Sequence, residues 1–387
     1  MRRLALLACG FALLPGTVPE AQQPSAPIRP ADQAIFRLSV SLVQLDAVVT
    51  DKRGQHVATL GRDDFEVYQD GRPQPIIAVS YVDSDDGWVD TSGLPPLPVE
   101  ALKPEDARRV IAVVVDDLRM SFESIYYARR GIGQFFDRQF QPGDLGMLVT
   151  TSGTGVSQLT YSPKVLKAAS SRLRYSLWNV QAASALAPID GVSDFGGVEG
   201  NFLERTFAES AILRIADAIS AVKELPGRKS VVLVSEGFSV YGFGWDNSYI
   251  REMLQRLVDR SNRAGVVIYA VDPRGLVVTG ITAADNVRGG GAGVAAMRSG
   301  ALRDSQDGLR FVAGETGGCA VVNSNDMARG FQRIMADQRG YYLIGYQPEA
   351  GTLSFKSDQQ FRKIKIKVKP KGLKVRTRAG FYGQATE

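Results

Sequence analysis

The sequence predicts an α/β fold in which a mostly parallel sheet carries helices on both faces, together with a β-rich module built from the N- and C-terminal segments. Between Val110 and about Asp337, short apolar runs alternate with segments whose apolar residues recur every three or four positions. On both sides of this region apolar and polar residues alternate strictly, which is typical of antiparallel strands with one solvated face. A single hydrophobic core stops growing near ~250 residues, so a chain of 387 residues is expected to form more than one folding unit.

The first residues predict an export signal that lies outside the fold. The stretch MRRLALLACGFALLPGTVPEAQQ places Arg2 and Arg3 before an apolar run, which is followed by Pro15 and the small residue Ala21. Lipidation at Cys9 is the competing interpretation, but it would leave only about five apolar residues after the arginines. No later run reaches the ~18 apolar residues that a membrane span requires. We therefore expect an exported protein, periplasmic or extracellular, without a transmembrane span.

The two ends of the remaining chain predict one shared β-rich module. Residues 35–83 contain FRLSVSLVQLDAVV and DFEVYQDGRPQPIIAVSYV, separated by the turn TDKRGQ. Residues 340–383 contain GYYLIGYQP and FRKIKIKVKPKGLKVRTRAGFYG, in which lysines alternate with Ile364, Ile366 and Val368. Because each end holds too few strands for a stable sheet of its own, we expect 35–83 and 340–383 to pack together.

The middle of the chain predicts the α/β domain, after an Asp-, Pro- and Gly-rich linker. Its predicted strands are 110–115, 145–151, 230–235, 266–272 and 319–322. Its predicted helices are 124–140, 163–175, 205–225, 248–264, 303–315 and 326–338. The predicted organisation is a signal peptide at 1–21, a flexible leader at 22–34, a β-sandwich-like segment at 35–83, a linker at 84–107, the α/β domain at 108–339 and a C-terminal β segment at 340–383.

Acidic residues follow three of the predicted strands. Asp116 and Asp117 follow the first strand, Glu236 follows the third, and Asp272 ends the fourth. Ligands of open α/β sheets bind beyond the carboxyl ends of the strands, and Mg²⁺ or Ca²⁺ prefers oxygen ligands of this kind. These positions are therefore the candidate metal site.

The chain resembles a known family at these positions. The stretch VVVDDLRMS opening a helix, then GRKSVVLVSEG and VVIYAVD, is similar to a von Willebrand factor A (VWA) domain. The flanking stretches VQLDAVVTDKRGQHVATLGRDDFEVYQDGRPQPI and GYYLIGYQP resemble the secreted VWFA-related domain proteins of the acidobacterial type. The resemblance covers about residues 36–383, and it implies a VWA-type (Rossmann-like) sheet at 108–339.

The resemblance also implies a metal-ion-dependent adhesion site, which this sequence carries in degenerate form. The family pattern is Asp-x-Ser-x-Ser after the first strand. Counting from Asp116, the serine positions hold Leu118 and Met120, which cannot coordinate a hard cation. Counting from Asp117 keeps Ser121 but places an arginine at the first serine position.

Two further positions complete the implied site. The family has an Asp after the central strand, where this chain has Glu236, and a Thr before the helix that leads to that strand, for which Thr206 is the candidate. Another interpretation of Asp116 is a carboxylate held by backbone amides at the following helix N-terminus. The expected degenerate set is Asp116, Asp117, Ser121, Thr206 and Glu236.

The composition argues against several other functions. His56 is the one histidine, so a histidine-based metal site is excluded and any Ser-His-Asp triad would have to use it. Ser239 follows a central strand but lacks the second glycine of a nucleophile elbow. The glycine-rich 287–300 has no Gly-Lys-Ser/Thr of a phosphate loop. The lysines of 363–369 alternate with aliphatic residues, as on a solvated sheet face, so nucleic acid is not expected as a partner.

Two long irregular connections are predicted, at 185–202 and 273–300. Connections of this length are functional or mobile, so they form either a binding surface near the strand ends or variable decoration. We expect a secreted, non-enzymatic protein-binding, adhesion or assembly scaffold with no catalytic residue and an unidentified extracytoplasmic protein partner. Mg²⁺ or Ca²⁺ is the one candidate cofactor. A metal-assisted hydrolase using the same carboxylates, and a purely structural envelope protein, are the alternatives.

Overall fold

A computed structural model describes residues 43–83, 107–154, 158–175, 198–240, 247–283, 285, 292–348 and 361–382. The predicted signal peptide and leader, and linker residues 84–106, lie outside these ranges. The strands are β1 Val43–Thr50, β2 Phe65–Gln69, β3 Arg72–Gln74, β4 Ile76–Asp83, β5 Arg109–Val115, β6 Asp144–Thr150, β7 Arg228–Val234, β8 Val266–Val271, β9 Ala320–Val321, β10 Gly340–Tyr346, β11 Phe361–Val368, β12 Lys374–Arg376 and β13 Gly380–Tyr382. The α-helices are α1 Phe122–Arg138, α2 Pro163–Ser171, α3 Val198–Val222, α4 Ser248–Ala264, α5 Ala292–Glu315 and α6 Met327–Arg339.

Five parallel strands form the central sheet in the order β6-β5-β7-β8-β9. Every residue of β5 is buried, as expected for a strand covered on both faces. On one face Val110, Ala112 and Val114 pack into a core with α3, α4 and α5. On the other, Ile111 and Val113 pack into a core with α1, α2 and α6. The predicted parallel α/β sheet with helices on both faces is therefore confirmed.

Two predicted irregular connections are partly helical, which corrects their extent. Helix α5 begins at Ala292 and α3 at Val198, so both helices start earlier than the apolar periodicity indicated. The segment 292–297 is rich in alanine, and alanine has the highest helix propensity. Arg298 also pairs with Asp285 across 2.5 Å, which fixes the start of α5 against the segment before it. The remaining part of 185–202, residues 185–197, lies outside the described ranges.

The β-rich module combines both ends of the chain, as predicted. One antiparallel sheet has the order β12-β1-β10-β4 and the other β13-β11-β2-β3. Strand β10 pairs with β1 on one side and with β4 on the other, and β11 pairs with β2. The alternating apolar residues of the two sheets meet in one core, which includes Leu45, Val67, Tyr342 and Ile366. The N- and C-terminal segments therefore need each other to bury their apolar faces.

The module connects directly to the α/β domain through the end of α6. Strand β10 begins at Gly340, immediately after α6 ends at Arg339. Near that point the buried carboxylate of Asp337 accepts hydrogen bonds from Tyr269 in β8 and from Arg376 in β12. Among the described residues, no helix combines the length and apolar character needed to cross a membrane.

Candidate binding rim at the strand ends

The candidate site lies at the carboxyl ends of the parallel strands. The helix after β5 packs on one face of the sheet, and the helix after β7 packs on the other. The two connections therefore diverge between neighbouring strands, and such a divergence opens the crevice in which α/β sheets bind ligands. We call the residues that follow these strands and β8 the rim, comprising 116–121, 235–240 and 272–283.

Asp116 stands at the centre of the rim and is fully buried. Its Oδ2 accepts a hydrogen bond from Ser235 Oγ at 2.7 Å, and its Oδ1 accepts one from Thr151 Oγ1 at 3.2 Å. The alternative interpretation, in which backbone amides hold Asp116, is not what the described residues show, because hydroxyls from the ends of β7 and β6 do so. Both neighbouring strands are thus tied to the end of β5.

Asp117 is satisfied in the same way, on the side of β6. Its Oδ1 shares the single Thr151 hydroxyl proton with Asp116, at 3.0 Å from Thr151 Oγ1, and accepts from the backbone amide of Ser152 at 2.9 Å. Its Oδ2 accepts from Ser152 Oγ at 2.5 Å. Both adjacent carboxylates are therefore bound by residues of this chain.

Burial has a large effect on the protonation of Asp116. Removal from water disfavours the charged form and raises the pKa of Asp116 from 3.8 to about 6. Arg119 and the hydrogen bonds from Ser235 and Thr151 oppose this rise, whereas the neighbouring Asp117 adds to it. The site therefore changes charge within the mildly acidic pH range.

Arg119 places a cation beside these carboxylates. Its Nη1 lies 3.8 Å from Asp116 Oδ2 and donates to the carbonyl oxygen of Gly237 at 2.6 Å. Its Nη2 lies 3.5 Å from Glu204 Oε1 in α3, and its guanidinium carbon is 5.2 Å from the centroid of the Phe238 ring. The arginine at the first serine position of the Asp117 register therefore supplies a positive charge and cross-links the connections after β5 and β7.

Ser121 and Glu236 have structural roles at the start of α1. Ser121 is the N-cap, and its Oγ accepts from the backbone amide of Ser124 at 3.1 Å. Glu236 Oε1 accepts from the backbone amide of Ser121 at 2.7 Å, a favourable place for a carboxylate because the helix N-terminus carries partial positive charge. Both side chains thus satisfy amide groups that a helix leaves unpaired.

Asp272 belongs to a separate ion pair on the same rim. Arg274 donates to both of its carboxylate oxygens, at 2.9 and 2.8 Å, and Gln306 donates to Oδ2 at 3.0 Å. Arg274 also donates to Ser305 Oγ at 3.0 Å, and the carbonyl of Ser305 accepts from the amide of Phe238 at 3.2 Å. A continuous polar layer therefore runs from Asp272 to the residues that hold Arg119.

Four of the five predicted site residues meet at the rim, and one does not. Asp116, Asp117, Ser121 and Glu236 lie together, whereas Thr206 is exposed and well inside α3. The threonine that contacts both aspartates is Thr151, immediately after β6. Sequence reasoning missed Thr151, Ser152 and Ser235, although the runs VTTS and VLVS both place hydroxyl residues directly after a strand.

The rim does not fit the hard cation that the resemblance implies. Mg²⁺ and Ca²⁺ need six or more oxygen ligands, but Leu118 and Met120 offer no side-chain oxygen and Met120 is buried in the core. The oxygens of Asp116 and Asp117 already accept hydrogen bonds, and a guanidinium lies beside them. Across the described ranges, no group of three or more His, Cys, Asp or Glu side chains could hold a metal ion.

The candidate residues for nucleophilic catalysis, Ser239 and His56, lie in different parts of the structure. Ser239 Oγ donates to Asp304, and Asn247 Nδ2 donates to Ser239 Oγ at 3.0 Å. His56 bridges to Thr50 at the end of β1, and its pKa is lowered by burial. A serine, a histidine and a carboxylate are therefore not assembled into a triad among these residues.

Comparison with known proteins does not assign this chain to a family. No family model matches the chain, and no curated protein matches it. The crystal structure of the TFIIH p34 N-terminal domain is similar at 11% identity and a TM-score of 0.25, covering 60% of this chain and 99% of that one. The crystal structure of an uncharacterized membrane spanning protein from Vibrio fischeri is similar at 16% identity and a TM-score of 0.17, covering 59% and 97%. Similarities at these scores carry no argument about function.

Proposed function

We propose that this chain is an exported, non-enzymatic scaffold that binds another protein through the rim of its α/β domain. The binding is of the adhesion or assembly type and needs no metal, because the position that the resemblance assigns to a metal holds internal hydrogen bonds and Arg119. The signal-like residues 1–21 and the resemblance to secreted VWFA-related domain proteins support an extracytoplasmic location.

The distribution of exposed apolar side chains carries this proposal. Nine large apolar or aromatic side chains are exposed among the described residues, and six of them lie on the rim or on the first turns of the helix that leaves it. Single exposed apolar residues are ordinary, but clusters mark interaction sites. The six residues are Phe122, Tyr126, Tyr127, Leu276, Val278 and Ile281.

The polar layer beneath this apolar surface supports a rigid binding platform. Asp116 and Asp117 are held by hydroxyls from both neighbouring strands, and Arg119 joins two of the connections. A surface fixed by such contacts loses little conformational entropy when a partner binds. The same contacts argue against a metal-assisted hydrolase, since both carboxylates are already bound by hydroxyls of this chain and Arg119 places a positive charge beside Asp116. A purely structural envelope protein would not need apolar residues exposed at one edge.

The experiment compares partner capture by three forms of the mature chain. The rim variant carries Leu276→Ser, Val278→Ser and Ile281→Ser; the control carries Leu213→Ser, at an exposed leucine on α3 away from the rim. Each is immobilised and incubated with the producing organism's culture medium and envelope extract, and crosslinked partners are identified by mass spectrometry. We expect one partner to be retained by the wild type and the control and lost by the rim variant. Identical capture by all three forms contradicts the proposal.

A further inference from the structure

A cluster of exposed aromatic residues stands beside the rim on α1. Phe122, Tyr126 and Tyr127 are 64%, 53% and 50% exposed. The ring of Phe122 meets that of Tyr175 edge-on at 6.1 Å, and the rings of Tyr126 and Tyr127 meet edge-on at 5.5 Å. We call these four residues the aromatic shelf. Aromatic side chains are enriched in the energetically dominant parts of protein interfaces, so their exposure on one helix end points to a binding surface.

The shelf stands on a rigid base. The opposite side of α1 is buried, with Ile125 and Phe135 in the core beneath the sheet. Arg129 on α1 donates a hydrogen bond to the carbonyl oxygen of Leu173, which ties α1 to the segment that carries Tyr175. The aromatic rings are therefore presented in fixed positions, which reduces the entropy cost of binding.

Basic residues surround the shelf. Arg130 on α1, and Arg172 and Arg174 after α2, are exposed, and no ion pair is seen for these three in the part of the chain that the structure describes. The acidic residue at the same end of α1 is Glu123, which is exposed; Asp137 lies at the far end of the helix and pairs with Lys167. The surface around the aromatic rings therefore carries an excess of positive charge, and it is complementary to an acidic partner.

We propose that the aromatic shelf binds an acidic segment of the protein partner, which places apolar or aromatic side chains on the rings and carboxylates beside Arg130, Arg172 and Arg174. This inference rests on the proposed function, because it names the chemistry of the partner that the rim region binds. An anionic membrane surface is the less favoured occupant, because basic clusters that bind such surfaces hold about four to eight Lys or Arg, and Arg130, Arg172 and Arg174 are three.

The test uses a phage-displayed library of random dodecapeptides as the probe, selected on the immobilised mature protein. We expect the selected peptides to be rich in Asp and Glu together with Leu, Phe or Trp. Their affinity, measured by fluorescence polarisation, should fall by about tenfold or more on the variant Phe122→Ser/Tyr126→Ser, as for loss of interface anchors. Raising the salt concentration should also weaken the binding of these peptides, because salt screens the attraction between exposed charges. The control Leu213→Ser should bind them as the wild type does, and circular dichroism checks that each variant is folded.

The outcomes separate this inference from the proposed function. The proposal that the shelf binds an acidic segment is contradicted if the selected peptides are not enriched in Asp and Glu. It is also contradicted if they bind the shelf variant as tightly as the wild type. Binding to phosphatidylglycerol vesicles without peptide selection also overturns it. If the cellular partner is lost by the rim variant but kept by the shelf variant, the proposed function stands and the shelf assignment fails. If neither variant loses the partner, both fail.

Discussion

Ser235 Oγ donates a hydrogen bond of 2.7 Å to Asp116 Oδ2, joining the ends of two neighbouring parallel strands. The carboxylate that receives this bond is buried, and its charged form is stabilised by one nearby guanidinium and by hydroxyls. Burial removes the water that would otherwise solvate the charged carboxylate, so it favours the protonated form of Asp116. Its protonation is therefore coupled to folding, and this coupling can be measured.

Replacing Asp116 with Asn should remove a pH dependence of stability. Burial raises the pKa of Asp116 to about 6 from 3.8, so between these values the folded state binds a proton that the unfolded state does not. The stabilisation from this proton is complete below the unfolded pKa and is lost as pH rises through about 6. The shift corresponds to on the order of 3 kcal/mol. Urea unfolding from pH 4 to 7 should show wild-type stability falling relative to Asp116→Asn over this window.

The control for this measurement is Asp217→Asn, which changes an exposed carboxylate on α3. The difference in unfolding free energy between this variant and the wild type should stay the same at every pH. If the curve of Asp116→Asn is also parallel to the wild-type curve, Asp116 does not take up a proton on folding in this range, and the explanation from burial is wrong.

Removing the guanidinium of Arg119 should move the same titration to higher pH. Arg119 lowers the pKa of Asp116, so Arg119→Met raises it further and extends the pH window upward. The substitution also removes the 2.6 Å hydrogen bond to the carbonyl of Gly237, which costs about 1–3 kcal/mol for a charged donor. The loss of unfolding free energy should therefore be larger at pH 7 than at pH 4. In an Asp116→Asn background that difference between pH values should disappear, and its persistence would assign the effect elsewhere.

Divalent cations should leave the thermal stability unchanged. The Arg119 guanidinium lies 3.8 Å from Asp116 Oδ2 and would repel a cation there, and Leu118 and Met120 supply none of the further oxygen ligands that it needs. A cation that bound only the folded state would add about 2.7 kcal/mol at 100 times its dissociation constant. Thermal unfolding with Mg²⁺, Mn²⁺, Ca²⁺ or chelator, at matched ionic strength, checks this. A cation-dependent rise in Tm that Asp116→Ala abolishes would show a working metal site.

The sequence was sufficient for the strands of the parallel sheet and for the edge at which four of the predicted residues lie, but not for the contacts of those residues. Periodicity identifies β5 and α1, because burial on a sheet face or a helix stripe leaves a local pattern. The contacts of Asp116 depend on which strands lie beside β5, and sheet order is not a local property. The family pattern suggested Thr206 as the threonine of the site. In the structure β6 is one of the two neighbours of β5, and the residue after it, Thr151, is the threonine that contacts Asp116. The start of α5 was missed because the glycines of 287–300 obscured an alanine-rich helical turn.

Replacing Gly237 with Ala should disrupt the rim. Gly237 has φ +96°, and an added Cβ would lie 2.1 Å from the carbonyl oxygen of Ser305. Both the left-handed backbone and the collision oppose a side chain, so we expect a loss of more than about 2 kcal/mol in urea unfolding. The control is Gly265→Ala, with φ +62° and no atom within 4 Å of the added Cβ, which should cost about 1 kcal/mol from backbone strain alone. Equal costs for the two variants would mean that α5 moves away without penalty.

Asp337→Ala should loosen the junction between the α/β domain and the β-rich module. Asp337 is buried and accepts from Tyr269 Oη at 3.0 Å and from Arg376. Without it both donors lose their partner, and we expect a cost of about 2–4 kcal/mol, less than for a fully buried pair because Arg376 remains 31% exposed. The control Asp307→Ala breaks an exposed pair with Arg310 and should cost less than about 1 kcal/mol.

His56 reports the same change without unfolding the protein. It is the one histidine of the chain, so NMR titration of the untagged protein follows a single imidazole. Burial lowers the pKa of His56 below 6.5, and the charge of Asp337 partly opposes this. Asp337→Ala should therefore lower the pKa of His56 further, because the carboxylate that favours the imidazolium is gone. Since the folded state resists protonation, stability from His56 falls as pH drops through 6.5, and this loss should grow in the variant. A pKa of His56 that does not change between the wild type and Asp337→Ala would place Asp337 outside the electrostatic environment of the junction.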